Sequence, residues 1–443
     1  MQQCVSKIDE PAFLAVKQRG RSAFLGQIAL FCDMHSDILI CGGGAAGIFT
    51  AINIAEKIPG SKITVLEKTQ KLLAKVRISG GGRCNVTNGR QAASDLVKYY
   101  PRGEKKLYSL LKDFGPSHMT EWLGNRGVAL KTEADLRVFP VSNTSQSIID
   151  CFMEQCDRYG VEIKYRQEVV SLQRQGEKWV VQTKAGETHE APALVMATGS
   201  SGKSWEMLGK TPLKISELAP SLFTFNIKDD RLTDLPGVAF TSCEVKIAGT
   251  KLIERGPVLI THWGLSGPAI LKLSAWGARI LQKKNYEFDV LVNFNATLNA
   301  EQFRAWLTDL KTTHHAKKLT NCIPEGIPKR YWHRLLAYCQ IKSDALAGNL
   351  SKKQINKLTE ECTQALFRVK GKSTFKEEFV TCGGVMLSEV DLRTMESKKY
   401  PNLFFGGEVL DIDGITGGFN FQACWAAGWA ISEALSEASK KQI

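Results

Sequence analysis

Three glycines at a fixed spacing constrain the fold of this chain more than any other feature. Gly42, Gly44 and Gly47 follow a short apolar run and have the spacing G-x-G-x-x-G. Apolar residues then recur at helical intervals as far as Pro59, and a second strand-like run ends at Glu67. A strand, a glycine turn, a helix and a second strand in this order predict an α/β, Rossmann-like fold that binds a dinucleotide.

The residue types in this turn suit a pyrophosphate group. Gly42 permits the tight turn, and Gly44 lacks a Cβ that would hold a phosphate away from the backbone. Gly47 lets the helix pack closely on the strand. Ala45 and Ala46 lie at the helix N-terminus, whose unpaired N–H groups and dipole attract an anion. The alternative interpretation is a glycine turn that serves packing alone.

An acidic residue follows the turn at the expected distance. Glu67 comes 20 residues after Gly47, at the end of the second predicted strand. A carboxylate at this position can accept both hydroxyls of an adenosine ribose, and it would repel a 2′-phosphate. The pattern therefore disfavours an NADP-type ligand here. We place the next residue, Lys68, in the same binding site.

The composition is that of a soluble globular protein. The chain has 443 residues, of which 43% are hydrophobic and 23% are charged, so it is long enough for two or three domains. It contains no uninterrupted apolar run of the ~18 residues that a membrane helix requires. Its 12 cysteines are scattered, which predicts a reducing compartment and a cytoplasmic location. No C-x-x-C pair occurs, so we expect no metal site.

The net charge of +13 is denser in residues 314–334 and 351–357. We interpret these stretches as the solvated face of a helical subdomain. The chain has no recognised nucleic-acid motif, so we do not expect a nucleic-acid partner. The alternative is that this region docks RNA. The sequence predicts no particular oligomeric state.

Three further stretches of the chain differ in character from the glycine-rich unit. Residues 1–34 lack the turn-and-strand organisation that follows, and we treat them as an N-terminal extension with Met34 as an expected translation start. From residue 204 onwards, prolines and short alternating runs predict a small β-barrel or sandwich. Residues 300–362 then become helical and basic in character.

Two further glycine turns point to a large cofactor. Gly199 ends the run LVMATG, which reads as a buried strand that leads into a turn. Gly417 and Gly418 precede a long helical pattern that begins near Asn420. A second helix N-terminus in the same chain suits a two-ended cofactor such as FAD, since the flavin ring becomes negative at one edge on reduction.

Four segments together resemble one family of flavoproteins. The segments are GGGAAG, ISGGGRCNVTN, THWGLSGPAI and GGEVLDIDGITGGFNFQACWAAG. They are similar to those of the BaiN/YhiN-like family, which is also described as aminoacetone-oxidase-family FAD-binding enzymes or NAD(P)/FAD-dependent oxidoreductases. The resemblance covers roughly residues 35 to 438.

The resemblance implies an FAD-binding domain of the glutathione-reductase type in two parts, residues 35–203 and 379–443. An inserted β-barrel with the helical subdomain would occupy residues 204–378. It also implies that Gly42, Gly44 and Gly47 face the FAD pyrophosphate and that Glu67 binds the adenosine ribose. Further residues would border the flavin or its ribityl chain, namely Arg83, Cys84, Asn85, Glu408, Asp411, Gly417, Gly418, Phe419 and Asn420.

Two residues invite a catalytic interpretation. Cys84 could belong to a redox-active dithiol, but the position that would hold its partner is Gly89. We therefore predict that Cys84 packs beside the cofactor and is not a redox centre. His262, before a Gly-Leu-Ser-Gly-Pro turn, is the most plausible acid–base residue, since histidine transfers protons near neutral pH. The alternative is a structural histidine.

These observations together predict an FAD-dependent oxidoreductase. Through the flavin, it would transfer a hydride between a small organic substrate and NAD(P)H or oxygen. Only one full glycine motif with a following acid is present, so any NAD(P)H would bind transiently. The alternatives are an FAD-containing RNA-modifying enzyme, with residues 314–357 as the docking face, and a non-catalytic FAD-binding protein.

Overall fold

A computed structural model describes residues 36–373 and 380–441, so the predicted extension over residues 1–34 lies outside the described residues. The strands of the described residues are, in chain order, β1 (Ile38–Cys41), β2 (Ile63–Glu67), β3 (Thr87–Asn88), β4 (Leu130–Thr132), β5 (Arg137–Pro140), β6 (Glu162–Tyr165), β7 (Val169–Gln175), β8 (Lys178–Thr183), β9 (Thr188–Ala191), β10 (Ala193–Met196), β11 (Ala219–Ser221), β12 (Thr224–Asn226), β13 (Ala239–Ile247), β14 (Ile253–Thr261), β15 (Gly264–Ser266), β16 (Glu287–Asn293), β17 (Ala365–Lys370), β18 (Lys372–Ser373), β19 (Val380–Cys382), β20 (Val390–Asp391), β21 (Glu396–Ser397) and β22 (Leu403–Phe405).

The α-helices of the same residues are, in chain order, α1 (Ala45–Lys57), α2 (Ala74–Gly82), α3 (Ala93–Leu96), α4 (Tyr108–Asp113), α5 (Pro116–Gly124), α6 (Gln146–Arg158), α7 (Gly202–Gly209), α8 (Pro268–Trp276), α9 (Ala278–Lys283), α10 (Ala300–Thr313), α11 (Lys329–Tyr338), α12 (Lys352–Thr363) and α13 (Phe419–Lys440). Short 3₁₀ helices cover Val97–Tyr99, Glu104–Leu107, Leu319–Asn321, Ala347–Asn349, Leu387–Glu389 and Gly407–Val409. Within residues 36–373 and 380–441, no helix has the length and apolar character that crossing a bilayer requires.

The predicted strand–turn–helix–strand unit forms the centre of a seven-stranded sheet of order β20-β21-β22-β10-β1-β2-β6. Strand β1 pairs in parallel with both β10 and β2. Every residue of β1, β2 and β10 is buried, as expected for parallel strands covered on both faces. The helices α1 and α13 pack against each other, and a Cβ at Gly428 would lie 2.8 Å from Thr50 Oγ1. The α/β Rossmann-like fold class is thus confirmed.

A second seven-stranded sheet has the order β17-β16-β13-β14-β15-β12-β18, and all its pairings are antiparallel. Its apolar side chains share a hydrophobic cluster with those of α10, α11 and α12, whereas the parallel sheet has a cluster of its own. The alternating pattern after residue 204 therefore reflects half-buried antiparallel strands. The predicted domain boundaries stay predictions, and the boundary at 378/379 lies outside the described residues.

Candidate functional site

The first glycine turn follows the end of β1 and is closed by backbone contacts. Gly42 has a φ of +115°, and a Cβ there would lie 2.3 Å from the carbonyl oxygen of Ala197. A Cβ at Gly47 would lie 1.9 Å from the carbonyl oxygen of Gly42. Because backbone atoms cannot give way as a flexible side chain can, no other residue fits at these two positions.

Gly44 differs from its neighbours because a Cβ there would meet no protein atom within 4 Å. It is the N-cap of α1, and the first hydrogen bond inside the helix runs from Ile48 N–H to the Gly44 carbonyl at 3.0 Å. The N–H groups of the first helical turn therefore have no acceptor within the helix. This open, donor-rich end is suited to an anionic ligand.

Glu67 lies beside this turn with its carboxylate fixed by two backbone donors. One carboxylate oxygen accepts from Gly43 N–H at 2.9 Å, and the other accepts from Thr69 N–H at 2.8 Å. Only 8% of Glu67 is exposed. The oxygens keep further lone pairs and border the same cleft as the glycine turn, so they can accept from a hydroxylated ligand.

A cleft of about 670 Å³ extends from this turn, within the range of ~300–1,000 Å³ that is common for small-molecule sites. One side, here called the glycine wall, consists of the loops after β1, β2, β10 and β22 together with the start of α13. Ligands of open α/β sheets bind at this carboxyl edge. A second part of the lining, here called the sheet wall, consists of Leu222, Thr224, Ser266, Leu271, Ser373 and Val380, which lie in or beside β12, β15, β18, β19 and α8.

Most of the residues that the sequence assigns to the cofactor line this cleft. Those in its walls are Gly42, Gly44, Ala45, Ala46, Glu67, Lys68, Asn85, Gly199, Glu408, Gly417, Gly418 and Asn420. They come from segments that are far apart in the chain. The parallel sheet brings these segments together because the carboxyl ends of its strands meet at one edge.

Five of the assigned residues do not line the cleft, namely Gly47, Arg83, Cys84, Asp411 and Phe419. Arg83 donates to Glu133 at 2.7 Å, and its guanidinium lies 3.9 Å from the ring centroid of Phe139. Asp411 pairs with Arg279 at 3.0 Å. Gly47 packs against the carbonyl oxygen of Gly42 within the glycine turn.

The aromatic ring of Phe419 also lies away from the cleft walls. It stacks on Tyr99 with the ring centroids 4.8 Å apart, and only 2% of the residue is exposed. The carbonyl oxygen of Phe419 accepts from the Tyr100 hydroxyl at 2.8 Å. Phe419 therefore anchors the start of α13 in the core and does not present its ring to a ligand.

The candidate acid–base residue His262 does not reach this cleft. It is exposed, lies in the turn between β14 and β15, and borders a separate cavity. The alternation of side chains along the following strand brings Ser266 into the sheet wall. The motif THWGLSGP thus contributes its serine to the cleft, and the structure does not support an acid–base role there for its histidine.

Cys84 is buried completely and has a φ of +60°. Burial raises the pKa of its thiol to about 12, and a weaker hydrogen bond with Ser79 opposes this shift. A thiol with such a pKa is not a nucleophile at neutral pH, because only the thiolate attacks. The structure thus places Cys84 as a packing residue under the loop that contains Asn85.

The second helix N-terminus also lies at the cleft. Gly418 has a φ of +89°, and a Cβ there would lie 2.3 Å from the carbonyl oxygen of Thr87. Glycine is therefore required at this position by contact with β3, and not only by space for a ligand. Asn420 binds the backbone of Gly414 in both directions, at 2.8 and 2.9 Å, and so braces the loop before α13.

Three residues that the sequence analysis missed border the cleft. The hydroxyl oxygen of Thr198 is buried and has no hydrogen-bond partner among the described residues. Ser266 has no side-chain hydrogen bond within the same part of the chain. Leu222 has a φ of +55° although it is a bulky residue. No local pattern marks Leu222, whereas Thr198 and Ser266 lie in segments that the sequence had already singled out.

Comparison with known proteins agrees with this geometry. Residues 36–434 match the family model described as "HI0933-like protein Rossmann domain". The chain belongs to this family. The match confirms the resemblance to the BaiN/YhiN-like flavoproteins, and it makes the chain a member of a family of FAD-dependent oxidoreductases.

Two curated relatives match almost the whole chain. A ribosomal RNA dihydrouridine synthase of Escherichia coli is 30% identical over 412 residues, which cover 90% of this chain and 98% of the relative. A 3-dehydro-bile acid delta(4,6)-reductase of Clostridium scindens is 27% identical over 409 residues, again 90% of this chain and 98% of the relative.

Among solved structures, a 3-ketosteroid delta1-dehydrogenase from Sterolibacterium denitrificans is similar in fold. It superposes with a TM-score of 0.51 at 11% identity, over 91% of this chain and 100% of that chain. At this level of identity the likeness supports the fold and nothing finer.

The residues at the cleft fit FAD, the cofactor that the family implies. Gly44 opens into space that a larger side chain would fill, beside the free N–H groups of α1. The buried hydroxyl of Thr198 lacks a partner within the described residues, and the start of α13 offers a second set of donors to the same cleft. A ligand with a pyrophosphate and a polar ring could bond to the N–H groups at the start of α1 and to those at the start of α13.

Proposed function

We propose that this protein reduces a carbon–carbon double bond that is conjugated to a carbonyl group. The observation that carries this proposal is that the FAD-type glycine wall and a sheet wall with an available hydroxyl, that of Ser266, face one cleft. The names of the two relatives describe the same chemistry. Dihydrouridine arises from uridine by reduction of a double bond next to a ring carbonyl, and a 3-dehydro-bile acid with delta(4,6) unsaturation has double bonds conjugated to its ketone.

In this proposal the glycine wall holds the cofactor. Glu67 would accept the adenosine ribose hydroxyls, and the first turn of α1 would bind the pyrophosphate. The start of α13 would face the electron-rich edge of the flavin ring. When bound and reduced, FAD supplies the hydride. The remaining chemistry is to hold the substrate, to stabilise the negative charge that develops on its carbonyl oxygen, and to let the neighbouring carbon take up one proton from solvent water.

Ser266 is the residue that we assign to the substrate carbonyl. The neighbouring hydroxyls are committed to protein groups: Thr224 donates to the Ser373 carbonyl at 3.0 Å, and Ser373 donates to Asn226 at 2.8 Å. Ser266 has no such bond among the described residues. A fixed donor at a developing oxyanion contributes about 100-fold or more to the rate.

For the substrate we favour a uridine in ribosomal RNA, which replaces our expectation from the sequence that no nucleic acid binds. Two relatives, from Escherichia coli and Haemophilus influenzae, are named ribosomal RNA dihydrouridine synthases. The net charge of +13 favours association with a polyanion, and Lys68, Lys71 and Arg137 lie in the cleft wall. A steroid-like ketone is the second candidate, because Leu222 and Leu271 give the sheet wall an apolar part.

For the electron donor we propose NADH or NADPH, bound transiently. Only one complete G-x-G-x-x-G motif with its acid is present in the sequence, and FAD would occupy it. A nicotinamide would therefore have to reach the flavin from the open side of the cleft.

Anaerobic stopped-flow spectroscopy tests this proposal. The FAD-loaded protein is first reduced with NADH or NADPH. It is then mixed with unmodified ribosomal RNA, with a steroid that has a conjugated ketone, or with buffer. We expect reduction by at least one nucleotide and rapid reoxidation by RNA. If only the steroid reoxidises the flavin, a steroid-like ketone and not RNA is the substrate. If neither compound reoxidises the flavin, the proposed function is contradicted.

A further inference from the structure

The sheet wall contains one residue whose backbone is strained. Leu222 has a φ of +55°, in the left-handed region. For a bulky residue without a polar side chain this conformation is rare, because Cβ crowds the backbone. Such strain persists only where surrounding contacts impose it, and it is concentrated at functional sites.

The residues on both sides of Leu222 are held by buried bonds. Before it, the hydroxyl of Ser221 donates to Asp413 at 2.8 Å, and Ser221 pairs in register with Val380. After it, the N–H of Phe223 donates to the Ser274 hydroxyl at 2.9 Å. Ser221, Phe223 and Ser274 are completely buried. The backbone at Leu222 therefore cannot relax without breaking bonds in the core.

Asp413 connects this segment to the cofactor side of the cleft. It is completely buried and forms an ion pair with Arg102, whose guanidinium also donates to the Ala275 carbonyl at 2.6 Å. The loop that contains Asp413 continues to Ile415 and Gly417, which line the glycine wall. The contacts of Asp413 with Arg102 and Ser221 therefore join the segment of Leu222 to the loop of the glycine wall.

The side chain of Leu222 lies at the cleft with Leu271 and Val380. These three apolar residues line the same cleft as Ser266, and Leu271 lies in the helix that follows Ser266. A flat ring with a conjugated carbonyl has the matching chemistry, since it has an apolar face and a polar edge. Uracil and the unsaturated ring of a steroid both meet this description.

We infer that Leu222 is a specificity-determining residue that presses on the face of the substrate ring and is held there by the Arg102–Asp413–Ser221 contacts. This inference rests on the proposed function. The left-handed backbone of Leu222 directs its side chain into the cleft and lowers the stability of this segment. A polar side chain that tolerates this backbone should relieve the strain, which offsets the loss of core packing at Leu222, and should lose the substrate contact.

The experiment compares Leu222→Asn with Leu222→Met in the FAD-loaded full chain. Asparagine tolerates the left-handed region, whereas methionine keeps an apolar contact. Leu136→Asn is the matched control, because Leu136 has a φ of +67°, is 36% exposed and lies outside the cleft walls. The readouts are the melting temperature, the FAD dissociation constant, the visible circular dichroism of bound FAD, and KM and kcat with the accepted substrate.

We expect Leu136→Asn to melt at or above the wild-type temperature and Leu222→Asn to melt near it, because Leu222→Asn relieves the backbone strain but loses contacts with the hydrophobic core. Both variants should bind FAD within twofold of wild type. Only Leu222→Asn should change the flavin dichroism and raise KM at least tenfold with a smaller change in kcat, and Leu222→Met should restore both. The inference is overturned if Leu222→Asn keeps the wild-type dichroism and KM, or if Leu136→Asn shows the same changes. If the wild-type protein reduces no compound with a conjugated carbonyl, the proposed function fails. The flavin dichroism of Leu222→Asn then still shows whether Leu222 lies beside the bound cofactor.

Discussion

The two walls of the cleft differ in how the chain encodes them. The glycine wall offers backbone N–H groups and the fixed carboxylates of Glu67 and Glu408, and most of it comes from loops directly after parallel strands. The sheet wall offers side chains from positions between 222 and 380, with no shared spacing. Backbone groups recognise a part that every FAD molecule has, whereas side chains can change without altering the fold. Relatives with different named substrates can therefore match over 90% of the chain.

The largest effect that separates the two walls is expected at Gly44. Gly44→Val should lower the melting temperature only slightly, because its Cβ would meet no protein atom within 4 Å although valine is a poorer N-cap than glycine. FAD affinity should fall by about 100-fold or more, since two charge-assisted bonds of ~1.5 kcal/mol each are lost. Isothermal titration of the apoprotein measures this loss. Gly202→Val is the control, since that position is equally open and lies outside the cleft walls. Unchanged FAD affinity in Gly44→Val would favour a turn that serves packing alone.

A nearly equal effect is expected on the sheet wall, but in catalysis and not in cofactor binding. Ser266→Ala should lower kcat by about 100-fold, because it removes a donor to the developing oxyanion. FAD affinity should stay within twofold of wild type. His262→Ala is the comparison, and we expect it to keep wild-type activity because His262 is exposed and borders another cavity. The assignment is wrong if the histidine variant loses activity and the serine variant does not.

A smaller effect is expected at Glu67. Glu67→Gln keeps one oxygen acceptor and loses the charge, so FAD affinity should fall about tenfold. Fluorescence quenching of the apoprotein by FAD gives the dissociation constant. Glu206→Gln, an exposed surface change, serves as the control. Wild-type affinity in Glu67→Gln would show that the adenosine ribose lies elsewhere.

The smallest effect is expected at Cys84. Because burial raises the pKa of its thiol to about 12, the thiolate should not accumulate in the folded protein as the pH rises from 7 to 9. Alkylation of Cys84 by iodoacetamide, followed by peptide mass spectrometry, should stay slow across this range. In urea the rate should rise with pH, as it does for an ordinary thiol. Fast alkylation of the folded protein, or uptake of four electrons per FAD in a reductive titration, would support a dithiol centre.

The glycine wall could be predicted from the sequence because its geometry follows from local rules. The spacing of Gly42, Gly44 and Gly47 and the position of Glu67 are properties of one strand–turn–helix–strand unit. The resemblance to a family pointed to segments near residues 83 and 419 that contain cleft-lining residues. It did not give the direction of each side chain, so Arg83 and Phe419 were assigned to a cleft that they do not line.

The sheet wall could not be predicted because it depends on distant contacts. The backbone of Leu222 is set by Ser221, Asp413 and Ser274, which are far apart in the sequence. Ser266 lies in the motif THWGLSGPAI, but the sequence favoured His262 of the same motif as the acid–base residue, because histidine titrates near neutral pH. The direction of the Ser266 side chain follows from the pairing of β15 with β12 and β14, which no short-range pattern determines.

The most direct test of the central claim is an anaerobic single turnover. The protein is loaded with FAD, reduced with the active nicotinamide nucleotide, freed of the excess, and mixed with unmodified ribosomal RNA. Nucleoside mass spectrometry then counts the uridines that have gained two hydrogens. We expect one dihydrouridine for each FAD that is reoxidised. A flavin that remains reduced until oxygen is admitted, with no reduced uridine in the RNA, would contradict the account.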